Sequence, residues 1–73
     1  MANRPLPTIP IDVEAVKGHM KIDGYSIRRL ARHPWVDRDE RTLQRWFARK
    51  EMPSFMLYNI ARILNVSMDY LTL

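Results

Sequence analysis

The chain has 73 residues, with 12 lysine or arginine residues against 8 acidic ones and no cysteine. This length allows one small domain, and the lack of cysteine excludes a disulfide framework and a thiolate metal site. No apolar run is long enough for a membrane span or a signal peptide, which predicts a cytoplasmic protein with no membrane partner.

The positive charge is concentrated in the middle of the chain. Residues 26–50 contain eight of the basic and three of the acidic residues, a net charge of +5, whereas the rest of the chain carries −1. Such a concentration is expected of a surface that binds a polyanion. An acidic partner protein would fit the same charge distribution.

The N-terminal segment, residues 1–10, contains three prolines and no apolar periodicity. This composition predicts a flexible arm before a helical domain of residues 11–73. Asp12 is placed to act as N-cap of the first helix. Gly24 is placed to end it, because glycine accepts the left-handed conformation that follows many helices.

A short second helix and a turn come next. Ser26 suits the N-cap of this helix, and Pro34 must end it, since the residue before a proline disfavours helical backbone angles. We expect Trp35 and Val36 in the turn to lie in the core, because an exposed apolar pair would otherwise have no explanation.

The third predicted helix has two contrasting faces. Leu43, Trp46 and Phe47 recur at i, i+3 and i+4 and form an apolar stripe. Arg41 and Arg45 share the opposite face, with no carboxylate at helical spacing on their C-terminal side. Such a face is either simply solvated or matched to an anionic partner.

Acidic residues precede that helix. Asp37 or Asp39 is predicted as its N-cap, and Glu40 suits the positive end of the helix dipole. Pro53 should end the helix near residues 50–51.

The last part of the chain predicts two further helical segments. Ser54 is the expected N-cap of a fourth helix, and Asn65 its left-handed end. Ser67 then opens a short final turn of helix, with Tyr70 and Leu71 facing inward. No segment alternates with period two, so the sequence predicts an all-α bundle of about five helices. The fourth helix has an apolar stripe of Leu57, Ile60, Ala61 and Leu64.

This ordered series resembles the Cro/CI-type (XRE) helix-turn-helix family over nearly the whole chain. In that family the second helix crosses the DNA backbone and the third lies in the major groove. The residues that carry the resemblance are Ser26, Leu30-Ala31, Val36, Thr42-Leu43-Gln44-Arg45-Trp46, Pro53-Ser54, Ile60-Ala61, Leu64-Asn65-Val66-Ser67 and Tyr70-Leu71.

The resemblance implies two sets of DNA-contacting residues. Those expected at base edges are Glu40, Arg41, Thr42, Gln44 and Arg45. Those expected at phosphates are Ser26, Arg28, Arg29, Arg38, Arg49 and Lys50. Arg41 and Arg45 would favour guanine. Instead of contacting a base, Glu40 could stabilise the positive end of the helix dipole. The turn of residues 33–38 is about two residues longer than the tight helix-turn-helix connection and lacks the usual glycine.

The sequence contains no nucleophile–base pair, Gly-rich phosphate loop or metal cluster, so we expect no enzyme, cofactor, metal or small-molecule substrate. The resemblance implies a small bacterial or phage repressor-like regulator that binds double-stranded DNA, on the nucleoid when bound. The alternative is a protein-binding adaptor or assembly factor whose basic face binds an acidic protein. Size and family predict a homodimer, with an interface of Tyr58, Met68, Tyr70 and Leu73.

Overall fold

The structure is a computed structural model that describes residues 7–73. Four α-helices and a two-stranded antiparallel sheet make the fold mixed α/β, so the prediction of an all-α bundle of five helices is wrong. The expected fifth helix is a single 3-10 turn, η1. The elements in chain order are β1 (Thr8–Pro10), α1 (Val13–Ile22), α2 (Ile27–Arg32), α3 (Glu40–Arg49), β2 (Glu51–Pro53), α4 (Ser54–Leu64) and η1 (Met68–Tyr70).

The strand pair was missed because it leaves no pattern in the sequence. β1 and β2 are three residues long, with Ile9 opposite Met52. Three residues are too few to show alternation, and each strand contains a proline, which cannot donate to a ladder and is confined to edges and strand ends. β1 lies within the segment predicted as a flexible arm; residues 1–6 of that segment lie outside the described residues.

The hydrogen bonding of β1 continues along the chain into α1. The Ile11 amide donates to the Lys50 carbonyl at 3.0 Å, and the Asp12 amide donates to the Leu71 carbonyl at 2.8 Å. Ile11 is fully buried. The segment of residues 8–12 therefore ties the α3–α4 connection to the C-terminal end.

Several helix boundaries follow the sequence prediction. The Asp12 carboxylate accepts from the Ala15 amide at 3.1 Å and caps α1. The Ser26 hydroxyl accepts from the Arg29 amide at 3.1 Å and caps α2. Gly24 and Asn65, with φ of 76° and 57°, adopt the left-handed conformation expected after α1 and α4. Local side-chain chemistry determines these ends.

Of two other predicted caps, the position of one is confirmed and the other is wrong. Asp39 occupies the N-cap position of α3 but makes no side-chain cap hydrogen bond, and Asp37 lies in the turn with φ of 45°. Ser54 is the first residue of α4, and Pro53 takes the N-cap position. The start of α4 is therefore shifted by one residue from the prediction, whereas Asp39 keeps the N-cap position of α3 without its capping hydrogen bond.

The core lies between the four helices and β2, and no polar or charged residue within 7–73 is buried in it. Both predicted apolar stripes face it, with Trp46 half-buried at the margin. Trp35 and Tyr70 were predicted to face the core, and both predictions are wrong, since these side chains are 45% and 69% exposed. Val36 and Leu71 are buried as expected. Within the described part of the chain, no helix has the length and apolar character needed to cross a membrane.

Candidate nucleic-acid interface

The interface is built on α2 and α3, which pack against each other through residues buried on both helices. The long turn between them is closed by backbone hydrogen bonds: the His33 carbonyl accepts from Val36 and Asp37 at 2.9 and 2.8 Å, and the Arg38 amide donates to Ala31 at 3.1 Å. Asp37 takes the left-handed conformation, which aspartate tolerates better than most residues. The added turn residues are therefore ordered by their own hydrogen bonds.

The outer face of α3 carries three arginines. Arg41, Arg45 and Arg49 follow one another at four-residue intervals and are all exposed, while Leu43 and Phe47 are buried on the other side. Within residues 7–73, none of the three arginines forms an ion pair or a side-chain hydrogen bond. Their guanidinium groups are free to bind an anion or a base edge.

Glu40 connects the two helices. One carboxylate oxygen pairs with Nε of Arg28 at 3.5 Å, the one ion pair between the described residues, and the other accepts from Nε2 of Gln44 at 3.3 Å. Because the two charged side chains are 43% and 70% exposed, the pair adds little to stability. Its effect is to orient Arg28 and Gln44 beside the arginines of α3.

Two more of the predicted phosphate-binding arginines, Arg29 and Arg38, also have partners within the chain. Arg29 donates to the Gly24 carbonyl at 3.2 Å and lies 4.9 Å from the centre of the Tyr25 ring. Arg38 donates to the carbonyls of Val36 and Asp37 at 3.3 and 3.1 Å. A guanidinium has five N–H donors, so each of these exposed groups keeps donors for a further ligand.

The remaining predicted residues differ in position. The Ser26 hydroxyl accepts the capping bond and still has its own proton to donate. Thr42 is half-buried. Lys50 ends α3 in the left-handed conformation and borders an open depression of about 470 Å³ together with Asp12 and Glu14. It therefore lies beside the start of α1.

Comparisons with family models, with curated proteins and with solved structures gave no match. The chemistry of this interface therefore has to be argued from its own geometry. Within residues 7–73, no three histidine or acidic side chains come close enough together to hold a metal ion.

Sequence reasoning missed a second feature, a single arginine of α4 among aromatic side chains. The Arg62 guanidinium lies 4.3 Å from the centre of the Trp35 ring and 5.7 Å from that of Tyr58, and Nδ2 of Asn59 donates to the Trp35 carbonyl at 3.1 Å. The available signal was the four-residue spacing of Tyr58 and Arg62 on the outward side of a helix with an apolar stripe elsewhere. The place of Trp35 beside them depends on tertiary structure.

Proposed function

We propose that the protein is a small sequence-specific DNA-binding regulator of the repressor type, which inserts α3 into the major groove. The observation that carries this proposal is the row of three exposed arginines on α3, none with an acidic partner among the described residues. A row of free guanidinium groups along one helix matches the phosphate and base acceptors that line a major groove. The resemblance to the Cro/CI-type family supports the same role for α2 and α3.

The arginines divide into two groups in this proposal. Arg41 and Arg45 contact base edges, and each is able to bind O6 and N7 of a guanine through two hydrogen bonds. Arg28, Arg29, Arg38 and Arg49 contact phosphates, which contribute affinity and orientation but no sequence preference. Glu40 acts as a positioning residue, because its two oxygens are already engaged by Arg28 and Gln44.

The proposal includes a homodimer, since a single domain of this size covers only one half-site. A twofold dimer would bind a roughly palindromic operator with half-sites about one helical turn apart. Tyr70 and Leu73 are exposed near the C-terminus, and Met68 is half-buried beside them. They remain the proposed interface, whereas Tyr58 is already occupied by Arg62.

The experiment compares duplexes selected from a random pool with unselected duplexes, by fluorescence anisotropy at several salt concentrations. We expect log K to fall with log salt by about 0.9 for each phosphate contacted, and the selected duplex to bind about a thousandfold more tightly. Arg41→Ala/Arg45→Ala should lose most of that preference. Lys17→Ala/Lys21→Ala is the matched control, because it also removes two positive charges, but from α1.

Weak binding that is equal for all duplexes and disappears near physiological salt would contradict the proposal. So would a selected-sequence preference that the Arg41→Ala/Arg45→Ala variant retains in full. The first result would favour the alternative, in which the basic face of α3 binds an acidic protein.

A further inference from the structure

The surface formed by Trp35, Phe55, Tyr58 and Arg62, hereafter the aromatic face, is distinct from the outer side of α3. Phe55, Tyr58 and Arg62 recur at i, i+3 and i+7 on the outward side of α4. Trp35, in the turn before α3, lies under the Arg62 guanidinium. The three aromatic side chains are 44–52% exposed and are half of the six large apolar side chains exposed within residues 7–73.

Arg62 is held at the centre of this face. Its guanidinium lies over both Trp35 and Tyr58, and it pairs with no acidic residue among those described. Stacking engages the plane of a guanidinium and leaves its N–H groups, at the edge, free to donate. The aromatic face therefore presents an oriented and uncompensated positive charge surrounded by apolar rings.

Stacking of a nucleobase on Trp35 is disfavoured, because base stacking needs an open ring surface. Arg62 covers Trp35, and the His33 ring lies 5.2 Å from Trp35, centre to centre, at an interplanar angle of 59°. A second copy of the chain is also a poor occupant. The face carries no carboxylate, so a twofold contact would place Arg62 against the same residue of the other copy, which costs energy.

Charge complementarity points to a third kind of occupant, one that carries a carboxylate. Beside Arg62 lies an open depression of about 530 Å³, which Trp35, Asn65 and Ser67 also line. Tryptophan, tyrosine and arginine are enriched among the residues that contribute most to protein–protein binding. A carboxylate flanked by apolar side chains would pair with Arg62 and cover the rings.

We propose that the aromatic face is a docking site for a second protein, which places an aspartate or glutamate flanked by apolar residues against Arg62. This goes beyond DNA binding, because it uses α4 and the turn and leaves the arginines of α3 free.

The test selects peptides from a displayed library of random short sequences, with the intact protein as the target, and measures labelled peptides by fluorescence anisotropy. We expect the recovered peptides to share an acidic residue beside an aromatic or large aliphatic one. Arg62→Met keeps the apolar stem of the side chain but removes its charge, and should raise Kd about tenfold or more. Replacing the acid of the peptide by its amide should have a similar effect.

Two controls separate this site from the DNA interface and from loss of folding. Arg41→Ala/Arg45→Ala should leave the peptide Kd unchanged, and Arg62→Met should leave the thermal unfolding and the DNA affinity unchanged. The proposal would be overturned if no acidic peptides were recovered, or if they bound Arg62→Met as tightly as the unaltered protein. It would equally be overturned if Arg62→Met abolished self-association in sedimentation, or binding to a single-stranded oligonucleotide.

Discussion

Three exposed arginines of α2 and its turn differ from the three exposed arginines of α3 in whether the chain supplies a partner. Arg32 of α2 is also exposed, has no partner among the described residues and belongs to neither set. Arg28, Arg29 and Arg38 each have a partner within the chain, a carboxylate or backbone carbonyls. Arg41, Arg45 and Arg49 have none among the described residues. Net charge alone would not distinguish the two groups, because all six belong to the same basic segment of the sequence.

The difference has a physical consequence for binding. An arginine that is already oriented loses less side-chain entropy when a phosphate arrives, which suits a contact that fixes the position of a helix. An arginine without a partner can adapt to the base edges presented to it, and no internal bond has to be broken. We therefore expect the two groups to differ in sequence preference and in salt dependence.

The largest effect is expected from changing the geometry of the α3 arginines without changing their charge. Arg41→Lys/Arg45→Lys should lower the preference for the selected duplex by about 1–3 kcal/mol for each residue, since lysine cannot make the two-bond contact to guanine. Binding to unselected duplex should stay nearly the same. Anisotropy titrations with both duplexes measure this, and a preserved preference would mean that α3 does not contact bases through these residues.

A smaller and different effect is expected on α2. Arg28→Ala/Arg29→Ala should weaken binding to selected and unselected duplexes equally, and should reduce the slope of log K against log salt by about 0.9 for each phosphate that is no longer neutralised. The measurement is the same titration repeated across salt concentrations. A change in preference between sequences would contradict the assignment of these residues to phosphates.

A substitution at Gly18 tests stability at a position outside both groups of arginines. It lies in α1, and a Cβ added there would meet no atom within 4 Å. Gly18→Ala should therefore raise the free energy of unfolding by about 1 kcal/mol, because alanine loses less backbone freedom in a helix. Denaturant unfolding measures the gain, and DNA binding should not change. Destabilisation would show that α1 packs more closely at this position than the structure indicates.

The smallest effect is expected at Glu40. Glu40→Gln should cost less than about 1 kcal/mol of stability, because the Arg28 pair is exposed and the helix-dipole interaction is weak. Binding to every duplex should become slightly tighter, since one negative charge near the phosphates is removed. A loss of preference at one base position would instead show that Glu40 contacts a cytosine.

Much of the candidate interface was predictable because it depends on local chemistry. The caps formed by Asp12 and Ser26 are short-range hydrogen bonds between a side chain and a nearby amide. The arginines of α3 face outward because Leu43 and Phe47 must be buried. The ion pair of Glu40 with Arg28 was harder to predict from the sequence, since the Arg28 side chain reaches Glu40 only when α2 packs on α3.

The sequence by itself determined the helices, the apolar side of each and the concentration of basic charge on one stretch, because all three follow from residue type and helical spacing. Only the tertiary structure decided the strand pair, the exposure of Trp35 and its stack with Arg62. These features join residues far apart along the chain, where each side contributes too few contacts to leave a periodic signal. Their formation depends on the helices already being packed, and residue spacing carries no record of that packing.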